Sequence, residues 1–373
     1  MASGYLKRSA DTSLEWRDGK VRCRAIESRD AATYAGTRQF AKRFPTADRT
    51  HFRHARGLTI GSIGIGTYLG SVSPRFDHRA RAAIISAVAN GCNLIDTARN
   101  YRGGRSEIVV GDAIRALSAA GIAERNELIV CSKAGYVFER DARVRKFSAS
   151  TVDANVLSPA FLSSEIALSL ERTGLDAIDI YLVHNPEVHL PKLGRRKFYR
   201  TVASCFEILE RYVNDKKLGM YGLACWAAFD HDTPMLIDIS HVMRAARLAG
   251  GNTRDNFGAI ETPLNWVYRN PVVAPANRSL PKVCHENNLI LIGSSSLLGG
   301  KLARLPSELG KAIPGTLSDA QRSIQFARSI PGVSATLVGM SRKDHIEENL
   351  RLRQVPVLRK SLVQRLTSAL DAV

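Results

Sequence analysis

The 373-residue sequence contains no apolar run of the about 18 residues that a membrane-spanning helix needs. Its first 20 residues are interspersed with charged side chains and lack the apolar segment of a secretory signal. Only six cysteines occur, and they form neither a CxxC pair nor a Cys/His spacing typical of a metal site. We therefore expect no membrane span, reduced thiols, a cytoplasmic location and no bound metal.

Acidic residues are in short supply. The chain has 35 Asp and Glu against 53 Lys and Arg, which gives a formal net charge of +18. Such an excess suggests an anionic partner: nucleic acid, an anionic membrane or a phosphorylated ligand. The sequence has no recognised nucleic-acid motif and no basic stripe interleaved with aromatics, so we do not expect nucleic acid as a physiological partner.

The first 56 residues carry 13 Lys and Arg but only six Asp and Glu, with weak apolar periodicity. This pattern is typical of a flexible or loosely docked extension. We divide the chain into a basic N-terminal extension, residues 1–51, and a folded region, residues 52–373. The extension leaves one open alternative, in which this arm binds nucleic acid or another anionic surface.

From residue 58 onward, short apolar runs rich in β-branched residues alternate with amphipathic stretches of helical period. The runs are continuous rather than alternating, as expected for strands buried on both faces. The predicted strands are Ser62–Tyr68, Asn93–Ala98, Leu128–Ala134, Ile178–His184, Tyr221–Trp226, Gly258–Asn265, Leu289–Ser295 and Ala335–Met340. The predicted helices lie near 77–90, 105–119, 158–174, 198–217, 232–249, 272–286, 317–330, 343–353 and 357–370.

Eight strand–helix units in about 300 residues predict an α/β fold of the (β/α)8, or TIM barrel, type. A doubly wound sheet would also alternate, but it usually has a glycine-rich turn after its first strand. The glycines of Gly64–Gly70 have the spacing GxGxxxG and lie inside a predicted strand. We interpret them as sites of close backbone packing rather than as a dinucleotide-binding loop.

Active sites of such barrels lie at the carboxyl ends of the strands. Asp96, Lys133 and His184 end the second, third and fourth predicted strands, and Tyr101 follows Asp96 by five residues. The Lys133 ammonium would favour the phenolate of Tyr101 and so make it a stronger acid toward a substrate oxygen. Asp96 would hold Lys133, and a neutral His184 would donate a hydrogen bond to a carbonyl.

This set predicts carbonyl reduction by a hydride carrier, or enolisation. Each member also has a structural interpretation. Asp96 and Lys133 would equally well form a buried ion pair, and a lone histidine or loop tyrosine has little meaning alone.

Several segments resemble the aldo-keto reductase family. Asn93–Tyr101 is similar to the family's DTAxxY segment, and Gly104–Gly111 to the GxSExxxG that follows it. Ile129–Lys133 resembles the third-strand lysine motif, and Ser169–Pro186 is the most specific match. The resemblance covers roughly residues 52 to 355 and implies a (β/α)8 barrel with NADP(H)-dependent chemistry. It assigns Tyr101 as the acid, Lys133 and Asp96 as the groups that tune it, and His184 as the group that orients the substrate.

The resemblance also implies cofactor contacts. Glu261 stands where the family usually has a glutamine on strand six, and Ser294 stands near the place of a stacking aromatic. Ala224 and Cys225 replace the usual Ser-Asn pair, which leaves Trp226 or Tyr68 as a possible stacking surface. The predicted cofactor-binding residues are Glu261, Ser294, Ser295, Leu297, Gly339, Ser341, Arg342, Lys343, Glu348 and Asn349. Arg342 and Lys343 precede the last barrel helix, where a 2′-phosphate would meet cations and helix amides.

We therefore expect an NADP(H)-dependent oxidoreductase that reduces an aldehyde or ketone, or oxidises the alcohol, with a small carbonyl or alcohol compound as substrate. The substituted residues leave an alternative open, in which the barrel is a nucleotide-binding regulatory or scaffold subunit with little turnover. Arg99 and Arg102 flank Tyr101 and would attract an acidic substrate, unless they are solvated loop charges. The long segment Tyr136–Asn155 is expected to shape the pocket. The sequence does not indicate the substrate or the oligomeric state.

Overall fold

A computed structural model describes residues 31–137, 151–152, 154–251, 256–273, 279–313, 315 and 318–369. Eight parallel strands form a closed barrel and follow one another around it in chain order. They are β1 (Ile63–Gly66), β2 (Leu94–Asp96), β3 (Ile129–Ala134), β4 (Ile178–His184), β5 (Leu218–Ala224), β6 (Phe257–Pro263), β7 (Ile290–Ser294) and β8 (Ala335–Gly339). The predicted (β/α)8 barrel is confirmed.

The barrel closes between its first and last strands, where Ile63 pairs with Thr336 and Gly66 with Gly339. The strands are short and nearly every residue in them is buried, so each contributes apolar side chains both to the barrel interior and to the layer of helices outside. This two-sided burial is the reason why the predicted runs lacked polar–apolar alternation.

Helices cover the outside of the barrel. They are Tyr34–Lys42, Pro74–Ala89, Arg105–Ala119, Pro159–Thr173, Leu190–Asn214, Ile239–Ala249, Asn270–Val273, Leu280–Glu286, Ser307–Ala312, Asp319–Ser329, Lys343–Leu350 and Lys360–Ala369. Local signals begin several of them: the Ser73 hydroxyl accepts a hydrogen bond from Phe76 N, and Ser318 forms a capping box with Gln321.

Three helices differ by more than three residues from their predicted bounds, and the one predicted near 232–249 begins only at Ile239. The pattern predicted as one helix near 272–286 is two short helices, and residues 274–278 between them lie outside the described part. The helix predicted to begin near 198 begins at Leu190. It has a break at Gly194, whose φ of 68° lies in a region that favours glycine. The helical period of the sequence therefore predicted only the part of this helix that follows the break.

The barrel floor is formed by a hairpin that precedes β1. Its strands, Phe52–Ala55 and Leu58–Gly61, pair antiparallel, and Leu58 and Ile60 belong to the same buried cluster as the interior side chains of the barrel. The Arg53 guanidinium donates hydrogen bonds to the carbonyl oxygens of Val333 and Arg328, the latter at 2.6 Å. The hairpin thus binds to the segment that leads into β8.

The first described helix, Tyr34–Lys42, also contacts the barrel. Phe40 is fully buried, Thr33 N donates to Asn126 O at 3.0 Å, and a Cβ at Gly36 would lie 2.2 Å from Asn126 O. Residues 31–51 of the predicted extension are therefore packed on the barrel where they are described. Residues 1–30 lie outside the described part, and the division of the chain at residue 51 stays a prediction.

No helix among the described residues is both long and apolar enough to span a membrane. The five described cysteines are all buried and unpaired.

Candidate active site

The carboxyl ends of the barrel strands surround a cavity of about 830 Å³. Asp96 is the last residue of β2, Lys133 lies one residue before the end of β3, and His184 ends β4. Tyr101 begins a short 3-10 turn after β2. The three residues chosen by their positions at strand ends, and Tyr101 on the following loop, are therefore neighbours at one barrel mouth.

Lys133 lies at the centre of this group and is fully buried. Its ammonium donates a short hydrogen bond to Asp96 Oδ1 and lies 3.0 Å from Glu261 Oε2. The ammonium also lies 5.3 Å from the centroid of the Tyr101 ring. One cation thus contacts two carboxylates and the face of the phenol.

The pairing of Glu261 with Lys133 was not predicted. The sequence analysis assigned Glu261 only to cofactor binding, on β6, where it pairs in register with Ala224 of β5 and Ile292 of β7. The signal that was available is that Glu261 is the one charged residue in the run Phe257–Pro263. A charge in a fully buried strand needs a counter-ion, and among the described residues Glu261 finds it in Lys133 of β3.

Burial raises the pKa of Tyr101 well above its usual value. Lys133 lowers this pKa, but Asp96 and Glu261 oppose that effect. The predicted effect of Lys133, a lowering of the Tyr101 pKa, is present, but burial, Asp96 and Glu261 outweigh it, so the net pKa is raised.

The partners of Tyr101 have shifted pKa values as well. Burial and the nearby Glu261 raise the pKa of Asp96 to about 8, although Lys133 lowers it. Burial disfavours the charged form of Lys133, yet Asp96 and Glu261 outweigh it, so the pKa of Lys133 is raised. Lys133 therefore remains an ammonium at neutral pH, and the two carboxyl groups compete for one counter-ion.

His184 is neutral, as predicted. Burial lowers its pKa well below the usual value, and the Lys133 charge adds to that effect. Its ring lies 6.3 Å from the Tyr101 ring and 5.1 Å from the Tyr136 ring, measured between centroids. Among described residues Nδ1 of His184 has no hydrogen-bond partner, so the imidazole has an unused polar atom beside the phenol.

The mouth of the cavity is aromatic. Tyr68 contacts the Tyr101 ring with a centroid distance of 5.0 Å and is 64% exposed. Trp226 is 47% exposed and lies 5.5 Å from the Tyr268 ring. Both Tyr68 and Trp226 line the cavity, so a bound ligand would meet aromatic surface on two sides.

The predicted cofactor residues divide into two groups. Those that line the cavity are Glu261, Ser294, Ser295, Leu297, Gly339, Glu348 and Asn349. Ser341, Arg342 and Lys343 do not line it. Arg342 forms an exposed ion pair with Asp344 at 2.6 Å, and the Lys343 ammonium lies 3.7 Å from Glu347.

The loop after β7 is shaped by residues with left-handed backbone. Ser295 has a φ of 55° and Leu298 a φ of 46°, followed by Gly299 and Gly300, whose φ values are also positive. No atom lies within 4 Å of a Cβ built on either glycine. This wall of the cavity thus presents small side chains and open backbone.

Arg99 and Arg102 do not face the cavity. Arg99 Nε donates to Glu165 Oε2 at 2.7 Å, and Arg102 pairs with Asp77. Both arginines are buried. The expectation that they attract an acidic substrate is wrong, and so is the alternative of solvated loop charges, because acidic partners on two helices neutralise them inside the protein.

The segment Tyr136–Asn155, predicted to shape the pocket, is described only at its ends. Tyr136 and Asn155 form a bridge, and a second hairpin joins Thr151–Val152 to Asn155–Val156. The Tyr136 hydroxyl accepts a hydrogen bond from Asn185 Nδ2 at 2.8 Å. Residues 138–150 and 153 lie outside the described part.

Comparison with known proteins identifies relatives of the same architecture. The chain is 30% identical to the NADH-specific methylglyoxal reductase of Escherichia coli, and the match covers 45% of this chain and about half, 49%, of that protein. It is 25% identical to a putative voltage-gated potassium channel subunit beta of Schizosaccharomyces pombe over 79% of this chain and 85% of that protein.

Solved structures are similar over nearly their whole length. An aldo/keto reductase from Klebsiella pneumoniae, in complex with NADP and acetate, has a TM-score of 0.60 and 19% identity. The alignment covers 86% of this chain and 95% of that one. The glycerol dehydrogenase of Gluconobacter oxydans has a TM-score of 0.62 and 17% identity, over 87% and 96% of the two chains.

The model of the Aldo/keto reductase family matches residues 62–371, which include all eight barrel strands and every residue of the candidate site. The chain therefore belongs to the aldo/keto reductase family, a family of oxidoreductases.

Proposed function

We propose that this protein is an NADP(H)-dependent carbonyl reductase, or an alcohol dehydrogenase that runs the same chemistry in reverse, with Tyr101 as its general acid or base. One observation carries the proposal. Tyr101, Lys133, Asp96 and His184 meet at the end of a single cavity, and Lys133 contacts both the Asp96 carboxylate and the Tyr101 ring.

In the reductive direction Tyr101 donates its proton to the carbonyl oxygen of the substrate. The raised pKa of Tyr101 keeps the phenol protonated at neutral pH, as a donor must be. As the proton leaves, negative charge develops on the phenolate, where the Lys133 ammonium stabilises it. The neutral imidazole of His184 has one N–H to donate to the same carbonyl oxygen, which orients the substrate.

Residues of the cavity fit a dinucleotide. Asn349 Oδ1 is buried without a hydrogen-bond partner among described residues and lines the cavity, together with Ser294, Ser295 and the open glycines of the β7 loop. We assign these residues to cofactor binding, with Gly339 and Glu348 beside them. When bound, NADPH supplies the hydride for the carbonyl carbon. Ser341, Arg342 and Lys343 are assigned to the 2′-phosphate.

The comparisons support this proposal without fixing a substrate. The Escherichia coli relative is named as a methylglyoxal reductase specific for NADH, whereas the Klebsiella structure holds NADP. Both names point to carbonyl chemistry with a nicotinamide cofactor. The aromatic mouth formed by Tyr68 and Trp226 favours a substrate with an apolar or aromatic part.

Direct binding tests the proposal. Purified protein is titrated with NADPH, and binding is followed by nucleotide fluorescence. We expect saturable binding, and no binding up to millimolar NADPH would refute the proposal. Tyr101→Phe should abolish turnover over a panel of aldehydes and ketones while it leaves the Kd for NADPH within about twofold. Retained turnover would exclude Tyr101 as the acid.

A second function is favoured by the relative from Schizosaccharomyces pombe, which is named as a putative channel subunit. Under this alternative the barrel is a nucleotide-binding regulatory subunit with little turnover. Ala224 and Cys225, whose side chains offer no strong hydrogen-bond donors, agree with either function. Tight NADPH binding without turnover over the whole panel would favour the regulatory subunit, and turnover would exclude it.

A further inference from the structure

Lys133, the lysine of the candidate active site, is paired with two carboxyl groups rather than one. Lys133 contacts Asp96 and Glu261, and the Asp96 carboxylate, the Glu261 carboxylate and the Cys131 thiol all lie within 4.8 Å of one another. All three side chains are buried. With both carboxyl groups ionised, this cluster has a net charge of −1, so it either holds one shared proton or remains negative.

The surroundings of Glu261 do not neutralise that charge. The titratable groups that face it are Lys133 and Cys131 from β3, Asp96 from β2, Tyr101 from the turn after β2, and Cys225 after β5. Burial raises the pKa of both thiols, so they stay neutral and add no charge, and burial lowers the pKa of His184 on β4, which favours its neutral form.

Apart from the histidines His184 and His345, the described part of the cavity wall has no basic side chain. Its acidic members are Asp96, Glu261 and Glu348, and none of the described side chains that line it is Lys or Arg. Arg99 and Arg102 are the arginines nearest to Tyr101 in the sequence. They are paired with Glu165 and Asp77, respectively, on the helices outside the barrel. A chain of charge +18 thus encloses a cavity with an acidic lining.

A ligand group that brings its own positive charge would complete this cluster. Of the two redox states of a nicotinamide, the oxidised ring is a cation and the reduced ring is uncharged. We propose that Glu261 determines specificity for the redox state of the cofactor, so that the Asp96–Lys133–Glu261 cluster retains the oxidised form more tightly than the reduced form. This inference rests on the proposed cofactor, and it adds to the proposed function a residue that distinguishes the two redox states of that cofactor.

The preference for the oxidised cofactor depends on whether the Asp96–Lys133–Glu261 cluster holds the shared proton. Below about pH 8 the Asp96 carboxyl holds it, so the cluster is neutral and discriminates weakly. Above that pH the proton is lost to solvent, and the cluster gains the negative charge that attracts the oxidised ring. Binding of the oxidised cofactor therefore favours proton release, whereas binding of the reduced cofactor does not.

The test is the ratio of two dissociation constants, Kd for NADPH over Kd for NADP+, measured by calorimetry between pH 7 and 9.5. The 2′-phosphate and the adenine are common to both ligands, so their effects cancel in the ratio. In the wild type we expect the ratio to rise about tenfold over this range, as one added charge at a partly screened distance implies. In Glu261→Gln we expect a lower ratio that does not change with pH.

Glu348→Gln is the matched control, since it removes a carboxylate from the same cavity wall but outside the lysine cluster. Glu348→Gln should change the Kd for NADPH and the Kd for NADP+ by the same factor. The ratio of the two Kd values and its pH dependence should therefore stay as in the wild type. An identical ratio and pH profile in wild type and Glu261→Gln would overturn the inference while leaving the proposed function intact. Failure of both nucleotides to bind wild-type protein would instead overturn the proposed function.

Discussion

The guanidinium of Arg99 and the carboxylate of Glu165 form an ion pair of 2.7 Å in which both side chains are almost fully buried. Arg99 also donates to the carbonyl oxygen of Tyr136 at 2.9 Å. This pair links the loop after β2 to the helix Pro159–Thr173 and to the start of the segment after β3. The ion pair therefore holds together the chain segments that surround the mouth of the cavity.

Glu165→Gln should lower the free energy of unfolding by about 3 kcal/mol, because it removes a buried negative charge that pairs with the Arg99 guanidinium at 2.7 Å. Urea denaturation measures this loss. Glu171→Gln on the same helix replaces an exposed carboxylate and should change stability by less than about 0.5 kcal/mol. Equal stability of the two variants would show that Arg99 does not depend on Glu165.

Lys133→Met should destabilise the protein by about 3 to 5 kcal/mol, since two buried carboxyl groups lose their shared cation. The double variant Lys133→Met with Glu261→Gln should recover part of that loss, because only Asp96 remains and its carboxyl is protonated at pH 7. Urea denaturation of both variants at pH 7 provides the comparison. A double variant that is less stable than Lys133→Met would contradict the mutual repulsion of Asp96 and Glu261.

Acid should destabilise the protein below pH 6.5, in part through His51. This histidine is fully buried, donates through Nε2 to Gly91 O at 3.1 Å and lies 3.0 Å from Ser62 Oγ. Burial lowers its pKa to about 3. Between pH 6.5 and 3 the unfolded chain binds the proton that the folded protein excludes, so stability falls as pH falls, by about 1.4 kcal/mol per pH unit for such a group.

His51→Gln should make the pH dependence of the unfolding free energy less steep between pH 6.5 and 4.5, at some cost in stability at pH 7. His231→Gln, at an exposed position, is the control and should leave the slope unchanged. Parallel slopes for wild type and His51→Gln would rule out His51 as a source of acid sensitivity.

The exposed aromatic mouth should select substrates. Trp226→Ala removes half-exposed ring surface from the cavity wall, and we expect a five- to tenfold rise in KM for an aryl aldehyde, equivalent to about 1 kcal/mol of stacking. The KM for a two- or three-carbon aldehyde should change less than twofold. Tyr34→Ala, at an exposed tyrosine that does not line the cavity, should alter neither value.

Arg342 should contribute to the choice between NADPH and NADH. Its ion pair with Asp344 is exposed, with about 60% of each side chain accessible, so solvent screens the pair and it contributes little to stability. A 2′-phosphate can therefore displace Asp344. Arg342→Ala should raise the Kd for NADPH about tenfold without a change in the Kd for NADH, and a parallel change in both would exclude a phosphate contact.

The barrel was predictable because each strand is a local pattern. Runs such as Ile178–His184 are largely apolar and buried, and their number and spacing imply closure into a barrel. The rule that barrel active sites lie at strand ends then selected Asp96, Lys133 and His184, since the position of a residue within its strand is also local information. Tyr101 followed from its distance to Asp96.

The ion pairs were not predictable by the same means. Lys133 and Glu261 are 128 positions apart, and Arg99 and Glu165 are 66 positions apart. Strand register and helix rotation determine which residues contact each other across the interior. Neither can be predicted from the sequence pattern of a single segment. The raised pKa of Tyr101 has a related origin, because burial and the carboxylates of Asp96 and Glu261, which lie elsewhere in the chain, cause it.

The pairing of β1 with β8, reinforced by Arg53, joins parts of the chain about 270 residues apart. This seam is the last pairing that can form during synthesis, because β8 ends only at Gly339. Until then both β1 and β7 present unpaired backbone, and such edges readily pair with other chains. A protein shortened before residue 335 should therefore form aggregates through these edges rather than a smaller functional barrel.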